Sequence, residues 1–168
     1  MFREMRRGGQ ALSAAECAAA LEARTSGVLA VSGDGGYPYA VPLSYVFCGD
    51  RLFFHCAKSG HKLDAIARCD KVSFCVIDRD SVVPEKFTTY FRSVIVFGRA
   101  RVLGDEAEKR RALELLAEKY APGPGEARRL EVEKELPRVC IVELSVEHMT
   151  GKEAVELVRE KRGGGPKA

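Results

Sequence analysis

The sequence predicts a mainly β protein with peripheral helices, built as a six-stranded antiparallel barrel or sandwich. Two observations lead to this prediction. Short runs of β-branched and aromatic residues recur along the chain, separated by the glycine-rich or charged turns that hairpins need. Few segments have helical periodicity, so the strands must supply most of the core. The predicted strands cover residues 26–32, 37–48, 51–56, 71–78, 90–103 and 138–148.

The first helix and the second strand have the clearest local signals. Ser13 and Glu16 form a capping box ahead of an alanine-rich stretch, which predicts a helix there. In the strand over residues 37–48, Pro38 and Pro42 interrupt the alternation. Proline has no N–H to donate to a ladder, so this strand is predicted at a sheet edge or a bulge. Its alternate positions, which share one face, are Tyr37, Tyr39, Val41, Leu43, Tyr45 and Phe47.

The remaining helices are predicted from local spacing and breakers. A short helix over residues 62–69 follows the third strand, and the Asp105 cap starts a helix that reaches Tyr120. A second short helix covers residues 126–136, and the chain looks helical again from Gly151. The length of 168 residues allows one domain, which we expect over residues 1–160, with a disordered tail over residues 161–168.

Charge and composition exclude several classes of function. The 27 basic and 24 acidic residues leave a net charge of +3, too small for a nucleic-acid surface, which needs clustered basic residues. No apolar run approaches the ~20 residues of a membrane span, and the basic start lacks the apolar stretch of a signal peptide. We therefore expect a cytoplasmic protein that binds neither nucleic acid nor membrane.

The six cysteines point to thiols and not to a disulfide framework or a metal site. They are scattered without a Cys-x-x-Cys pair, so we interpret most of them as reduced, small core residues. His55, His61, Cys48 and Cys56 also lack the tight paired spacings of a zinc site, so no metal is predicted.

The turn between the third strand and the helix at residue 62 carries the chemistry. Lys58, His61 and Lys62 crowd this turn, with Ser59 and Gly60 between them. A helix N-terminus offers unpaired N–H groups and partial positive charge, so two lysines and a histidine there favour a phosphate site. The alternative is a solvated basic turn in which Ser59 is simply the N-cap.

At these residues the chain resembles the pyridoxamine 5′-phosphate oxidase-like flavin-binding split barrels, and within them the nitroimidazole-resistance (Nim-type) branch. The resemblance runs in order from about residue 5 to residue 152. The Y-P-Y-x-V-P-L-S and F-H-x-A-K-x-G-x-K-x-D blocks together are its most specific part. The matching segments are Arg6–Arg7, Gly35–Tyr45, Leu52–Ala57, Lys58–Asp64, Tyr90–Gly98 and Met149–Lys152.

The resemblance implies a six-stranded FMN-binding split barrel that forms a homodimer with the cofactor between the subunits. It places the FMN phosphate at Lys58, His61 and Lys62. It lays the flavin ring along Val41, Pro42, Leu43 and Ser44 and against His55, Cys56 and Ala57. The segment from Tyr90 to Ser93 is expected to close the site, from the same chain or from the partner. Cys56 departs from the serine or other small residue expected at its position.

The function implied is an FMN-dependent oxidoreductase, a reductase that passes electrons to a small-molecule acceptor such as a nitroimidazole. His55 is the one candidate for a catalytic proton donor, since a histidine side chain can both accept and donate a proton near neutral pH. Related proteins bind FAD, the deazaflavin F420 or haem, and we rank all three after FMN. For haem the reason is that it needs no phosphate site. His55 has two other interpretations, an axial haem ligand and a core histidine bonded to a carbonyl. A non-catalytic flavin- or haem-binding carrier or sensor is the alternative function.

Overall fold

The computed structural model describes residues 1–123 and 125–163, and within them one antiparallel sheet is surrounded by helices. This confirms the predicted class, mainly β with peripheral helices. The strands are β1 (Ser26–Ser32), β2 (Pro38–Ser44), β3 (Val46–Cys48), β4 (Arg51–Cys56), β5 (Lys71–Val83), β6 (Thr88–Val102) and β7 (Cys140–Glu153). The helices are α1 (Ala14–Ala23), α2 (His61–Arg68), α3 (Glu106–Tyr120), α4 (Gly125–Glu135) and α5 (Val155–Gly163).

The strand order forces the sheet to curl into a barrel. The order is β2-β1-β5-β6-β7-β4-β3, so β2 and β3 lie at opposite ends although only Tyr45 separates them in the chain. A flat sheet would put its outer strands about 29 Å apart, at about 4.8 Å for each of six gaps. The Cα atoms of Ser44 and Val46 are at most about 7 Å apart along the chain. The two edges must therefore meet at Tyr45.

The predicted count of six strands is wrong, because the single strand expected over residues 37–48 is two strands. Residues 38–44 pair with β1, whereas residues 46–48 pair with β4. No ladder joins β2 to β3 in the described sheet, so the barrel is split along this line. The edge position predicted from Pro38 and Pro42 is confirmed, since β2 pairs only with β1 in that order.

The split is held together by side-chain hydrogen bonds around Tyr45. The Tyr120 hydroxyl, at the end of α3, accepts from the Tyr45 N–H at 2.9 Å and lies 2.7 Å from the Tyr45 carbonyl and close to the Thr25 carbonyl. The buried Tyr45 hydroxyl donates to the Leu21 carbonyl at 2.7 Å, and its ring meets the edge of Phe74 at 4.9 Å. Side chains thus replace the ladder bonds that Tyr45 lacks on this line.

Two hydrophobic clusters flank the β4 strand. The barrel interior contains Phe54 and Leu52, with α1 closing one end through Cys17, Ala20 and Leu21. The opposite face of β4 packs against the α3–α4 pair, and the second cluster consists of Val46, Phe53, Leu103, Ala112, Leu113, Leu116, Val132, Leu136 and Ile141. Alternate residues of β4 therefore face different cores, as period-two spacing requires.

Several local predictions are confirmed and several boundaries move. Strand β7 continues to Glu153, beyond the predicted residue 148, so the last helix begins at Val155 and not at Gly151. The Ser13–Glu16 capping box is present, and the Asp105 side chain caps α3 by accepting from the Glu108 N–H. Strand β5 continues to Val83, beyond the predicted residue 78, because it pairs with β6 along its whole length apart from one register shift. Helix α5 includes residues 161–163 of the predicted tail, and residues 164–168 lie outside the described residues.

We predict that Tyr120→Phe lowers the free energy of unfolding by about 1–3 kcal/mol, because the Tyr45 N–H loses its acceptor in a part-buried junction. Urea unfolding of the two proteins measures the difference. Tyr37→Phe is the matched control: Tyr37 is 77% exposed, so loss of its solvated hydroxyl should have almost no effect. Equal effects of the two substitutions would show that the junction does not need the Tyr120 hydroxyl.

Candidate functional site

The turn from β4 into α2 ends in a helix N-terminus without a side-chain cap. Gly60 is the N-cap, at φ +136°, so Ser59 is not the cap. The N–H groups of Leu63 and Asp64 bond to the Gly60 carbonyl at 2.9 and 3.2 Å. The N–H groups of His61 and Lys62 precede the first intrahelical bonds and point out of the helix end. This donor set fits a phosphate group, which accepts such bonds and is favoured by the helix dipole.

The three basic side chains of the turn have different neighbours. Lys58 is exposed and lines a polar cavity of about 400 Å³ against α3 and α4. Lys62 is half-buried beside Cys56. His61 turns to the β1–β2 hairpin, where it stacks on Tyr39 at 4.2 Å and its Nε2 lies 3.5 Å from an Asp34 carboxylate oxygen. The structure therefore does not gather Lys58, His61 and Lys62 around one point within this chain.

The next predicted contacts lie on β2, along one edge of the split barrel. Val41 and Leu43 are half-buried and pack against the barrel core, whereas Pro42 and Ser44 are exposed. Among the described strands only β1 pairs with β2. The backbone on the other side of β2 is consequently accessible to a planar ligand that offers hydrogen-bonding edges.

His55 lies at an apolar cavity of about 310 Å³ between β4 and the α3–α4 pair. Ser44 and Tyr120 share this cavity with His55. Its apolar walls are Leu113, Leu116, Ala117, Val132 and Val139, and Glu131 and Glu135 are also among its lining residues. His55 is exposed and, as period-two spacing requires, lies on the Phe53 face of β4, so it is not a core histidine. A ring nitrogen facing an apolar cavity is suited to bind or protonate a small ligand.

Cys56 and Ala57 complete the stretch that leads into the turn. Cys56 is half-buried on the opposite face of β4, against the barrel core, and stands opposite Cys140 of β7. Burial, and to a smaller extent the neighbouring Cys140 thiol, raise the pKa of the Cys56 thiol to about 11. Ala57 is exposed. The thiol is therefore not an activated nucleophile, as predicted.

Two predicted site residues lie elsewhere in this chain. Tyr90 is buried against Ala154 and Leu157 near α5, and its hydroxyl accepts from Lys86 at 2.9 Å. Ser93 lines a different cavity of about 490 Å³ beneath the N-terminal residues 1–5, where it shares a face with Ile95 and Phe97. Neither residue lines the His55 cavity. Any contact they make with a ligand there must come from a second chain.

The residue that sequence analysis missed is Tyr120. It lines the His55 cavity and also holds the Tyr45 junction, so it links the barrel split to the candidate site. Its position at the end of α3 was predicted, but no local pattern relates it to a strand 75 residues earlier in the chain. The sequence predicts the α3 and α4 helices but assigns them no place at the site, whereas their apolar faces form one wall of the cavity.

The described residues lack both a cluster of metal ligands and a helix that could span a membrane. Residues 1–123 and 125–163 contain no group of three or more His, Cys, Asp or Glu side chains arranged to hold a metal ion. In the same part of the chain, no helix has the length and apolar character needed to cross a membrane.

Comparison with solved structures finds the same fold in several proteins. A candidate 5-nitroimidazole antibiotic resistance protein from Bacteroides thetaiotaomicron has a TM-score of 0.71 at 19% identity, with 85% of this chain and 86% of that chain covered. An FAD-binding protein from Mesorhizobium loti has a TM-score of 0.63 at 26% identity, covering 86% and 97%. A flavocytochrome from Azotobacter vinelandii has a TM-score of 0.77 at 25% identity, covering 90% and 72%.

Sequence comparison identifies the family directly. No match was found among curated proteins. The family model described as pyridoxamine 5′-phosphate oxidase matches residues 13–153, which is most of the chain and includes β1 to β7 and the candidate site. The chain therefore belongs to the pyridoxamine 5′-phosphate oxidase family.

Proposed function

We propose that this protein is an FMN-binding oxidoreductase that reduces small molecules. One juxtaposition carries the proposal: the uncapped N-terminus of α2 and the His55 cavity lie at the two ends of one short stretch, residues 55–61. Lys58 follows His55 by three positions, a distance of about 10 Å at full extension. That spacing suits a ligand with an anionic end and an apolar ring.

In this proposal the α2 end of the stretch binds the phosphate of FMN, and the β2 edge binds the flavin ring. The N–H groups of His61 and Lys62, with the Lys58 and Lys62 ammonium groups, hold the phosphate. The accessible edge of β2, from Val41 to Ser44, binds the rim of the flavin ring. Lys58 and Lys62 are the important cations, because the His61 ring is already stacked on Tyr39.

Bound FMN would supply the hydride or electron transfer to the acceptor. The protein's own contribution is to orient the ring and acceptor, exclude water through the apolar walls of the cavity, and deliver a proton from a ring nitrogen of His55. The acceptor in this proposal is a small molecule of the nitroimidazole type, and the location is the cytoplasm. The choice of a nitroimidazole-type acceptor is supported by the fold that this chain shares with the B. thetaiotaomicron protein.

A homodimer belongs to the same proposal. Within one chain, Tyr90 and Ser93 lie away from the cavity that His55 lines. Their predicted role in closing the site therefore requires a second copy of the chain. The outer sheet face around Ser93 exposes apolar side chains, with Ile95 39% and Ile77 61% exposed. Apolar surface of this kind is typical of a covered interface.

The alternative function is a non-catalytic carrier or sensor of flavin or haem. One observation favours it: His55 is exposed at an apolar cavity, an arrangement that also suits an axial haem ligand. The fold similarity to a flavocytochrome is compatible with it.

An absorption spectrum of the purified protein distinguishes these functions. We expect two broad flavin bands in the near-ultraviolet and blue, and oxidation of NADH or NADPH when an acceptor is added. A sharp Soret band would instead favour a haem protein. Flavin bands without turnover would favour the carrier, and a colourless protein that binds no added FMN would contradict both.

The phosphate site is tested by comparing FMN with riboflavin, which lacks the phosphate. We predict that Lys58→Ala/Lys62→Ala weakens FMN binding at least about tenfold, since charge-assisted contacts contribute about 1.5–3 kcal/mol each when desolvated. Riboflavin affinity should change little. Fluorescence quenching measures both affinities, and Lys134→Ala on α4 is the control, because Lys134 pairs with Glu131 instead. Equal losses for the two ligands would place the phosphate elsewhere.

The catalytic role of His55 is tested by separating binding from turnover. We predict that His55→Ala keeps FMN affinity within about tenfold but lowers reductase turnover more than tenfold, a barrier increase of at least ~1.4 kcal/mol. Thermal stability should be nearly unchanged, because His55 is exposed. His148→Ala is the matched control, since His148 stacks on Phe2 at 4.6 Å on a different face of the sheet. Normal turnover in a less stable His55→Ala protein would make His55 structural.

A further inference from the structure

Cys56 and Cys140 face each other at the ends of two neighbouring strands. Cys56 is the last residue of β4, Cys140 is the first residue of β7, and the two are direct partners in the ladder. Directly opposed residues of antiparallel strands have Cα atoms about 4.5–5.5 Å apart. Disulfides span Cα distances of about 4.4–6.8 Å, so the backbone already has the separation that a disulfide needs.

The two thiols also point to the same side of the sheet. Opposed residues of a ladder share a face, and Cys56 packs against the barrel core, which also contains Val142 and Leu144, the residues of β7 that alternate with Cys140. The two thiols are close enough for Cys140 to contribute to the raised pKa of Cys56. Both cysteines are free thiols. The pair is therefore a preformed dithiol.

Another strand cysteine shows what distinguishes this pair. Cys75 of β5 stands opposite Val28 on one side and Ile95 on the other, so its neighbours in the ladders supply no second sulfur. Cys75 is also half-buried and free, which makes it a matched reference for exposure and redox state. The cross-strand position, not burial, is what sets Cys56 and Cys140 apart.

We propose that Cys56 and Cys140 are a reversible disulfide site whose oxidant is a low-molecular-weight disulfide such as glutathione disulfide. The half-buried Cys56 thiolate attacks one sulfur of that disulfide, forming a mixed disulfide and releasing one thiolate. The Cys140 thiolate then attacks the Cys56 sulfur, closing the cross-strand bond and releasing the second thiolate. Two thiols lose two electrons and two protons, and one small disulfide becomes two thiols.

Oxidation of the pair is slow at neutral pH. It is also expected to depend on whether the cofactor is bound. Because the Cys56 pKa is about 11, thiolate is a minor species, and exchange proceeds over hours rather than seconds. Resting on the proposed function, the FMN phosphate held beside Lys62 covers the approach to Cys56, because the Lys62 side chain lies beside that thiol. The dithiol is then oxidised in cofactor-free protein and protected in the loaded form.

Peptide mapping tests the site directly. Cofactor-free protein is incubated with glutathione disulfide at mildly alkaline pH, alkylated and digested with trypsin. We expect peptides 52–58 and 139–152 to appear as one linked species, two hydrogen atoms lighter than their sum, which dithiothreitol separates. Cys56→Ser abolishes the species and Cys75→Ser leaves it unchanged. Only glutathione adducts, or links to other cysteines, would overturn the proposal.

A second arm separates this proposal from the proposed function. Saturating FMN should slow formation of the linked species at least about fivefold, by stabilising the covered state. An unchanged rate, with the link still forming, would keep the disulfide site and contradict flavin binding at Cys56. Absence of the link in cofactor-free protein, with FMN still bound normally, would overturn the disulfide site and leave the proposed function standing.

Discussion

Closure of the sheet at Tyr45 is the constraint on which the rest of the structure depends. One residue joins strands at opposite ends of the sheet order, so the sheet must curl until its edges meet. The meeting edges share no ladder, and the Tyr120 hydroxyl satisfies the Tyr45 N–H from outside the barrel. That bond fixes the end of α3 against the split. The same helix then forms a wall of the His55 cavity, so the barrel closure and the candidate site share one anchor.

The two faces of β4 have different neighbours: one meets the barrel interior, and the other meets the α3–α4 pair and the His55 cavity. Within this six-residue strand, Phe54 and Cys56 face the barrel interior, while Phe53 and His55 face the α3–α4 pair. The strand then runs directly into the uncapped α2 N-terminus at Gly60. A polar donor set and an apolar cavity are thereby placed a few residues apart along the chain. The proposed flavin would occupy this site, and the cysteine pair lies on the buried side of the strand.

The local features were predictable because local physics determines them. The Ser13–Glu16 capping box, the edge position of a strand containing Pro42 and the face on which His55 lies all follow from spacing within a few residues. The break at Tyr45 was not predictable, because the alternation from Tyr37 to Phe47 continues through it. Residues 38–44 pair with β1 and residues 46–48 pair with β4. These partners are set by tertiary packing, which period-two spacing does not encode.

Long-range contacts account for the remaining differences. His61 looks like a phosphate ligand in sequence, yet its ring stacks on Tyr39 of an earlier strand. The Tyr90 side chain packs near α5, and Ser93 lies on the outer face of the sheet. Such placements depend on which elements pack together, and that information is spread over the whole chain. Sequence similarity identified the family correctly, but residue roles within this chain required the packing.

Hydrogen exchange with and without FMN is the measurement that tests the central claim most directly. If the flavin lies between the β2 edge and the N-terminus of α2, amide exchange should slow in residues 41–44 and 56–63 when FMN is added. The β1 strand at residues 26–32, buried in the ladder between β2 and β5, should change little. Protection confined to residues 93–97 and 148–152, on the outer face of the sheet, would contradict the proposed location.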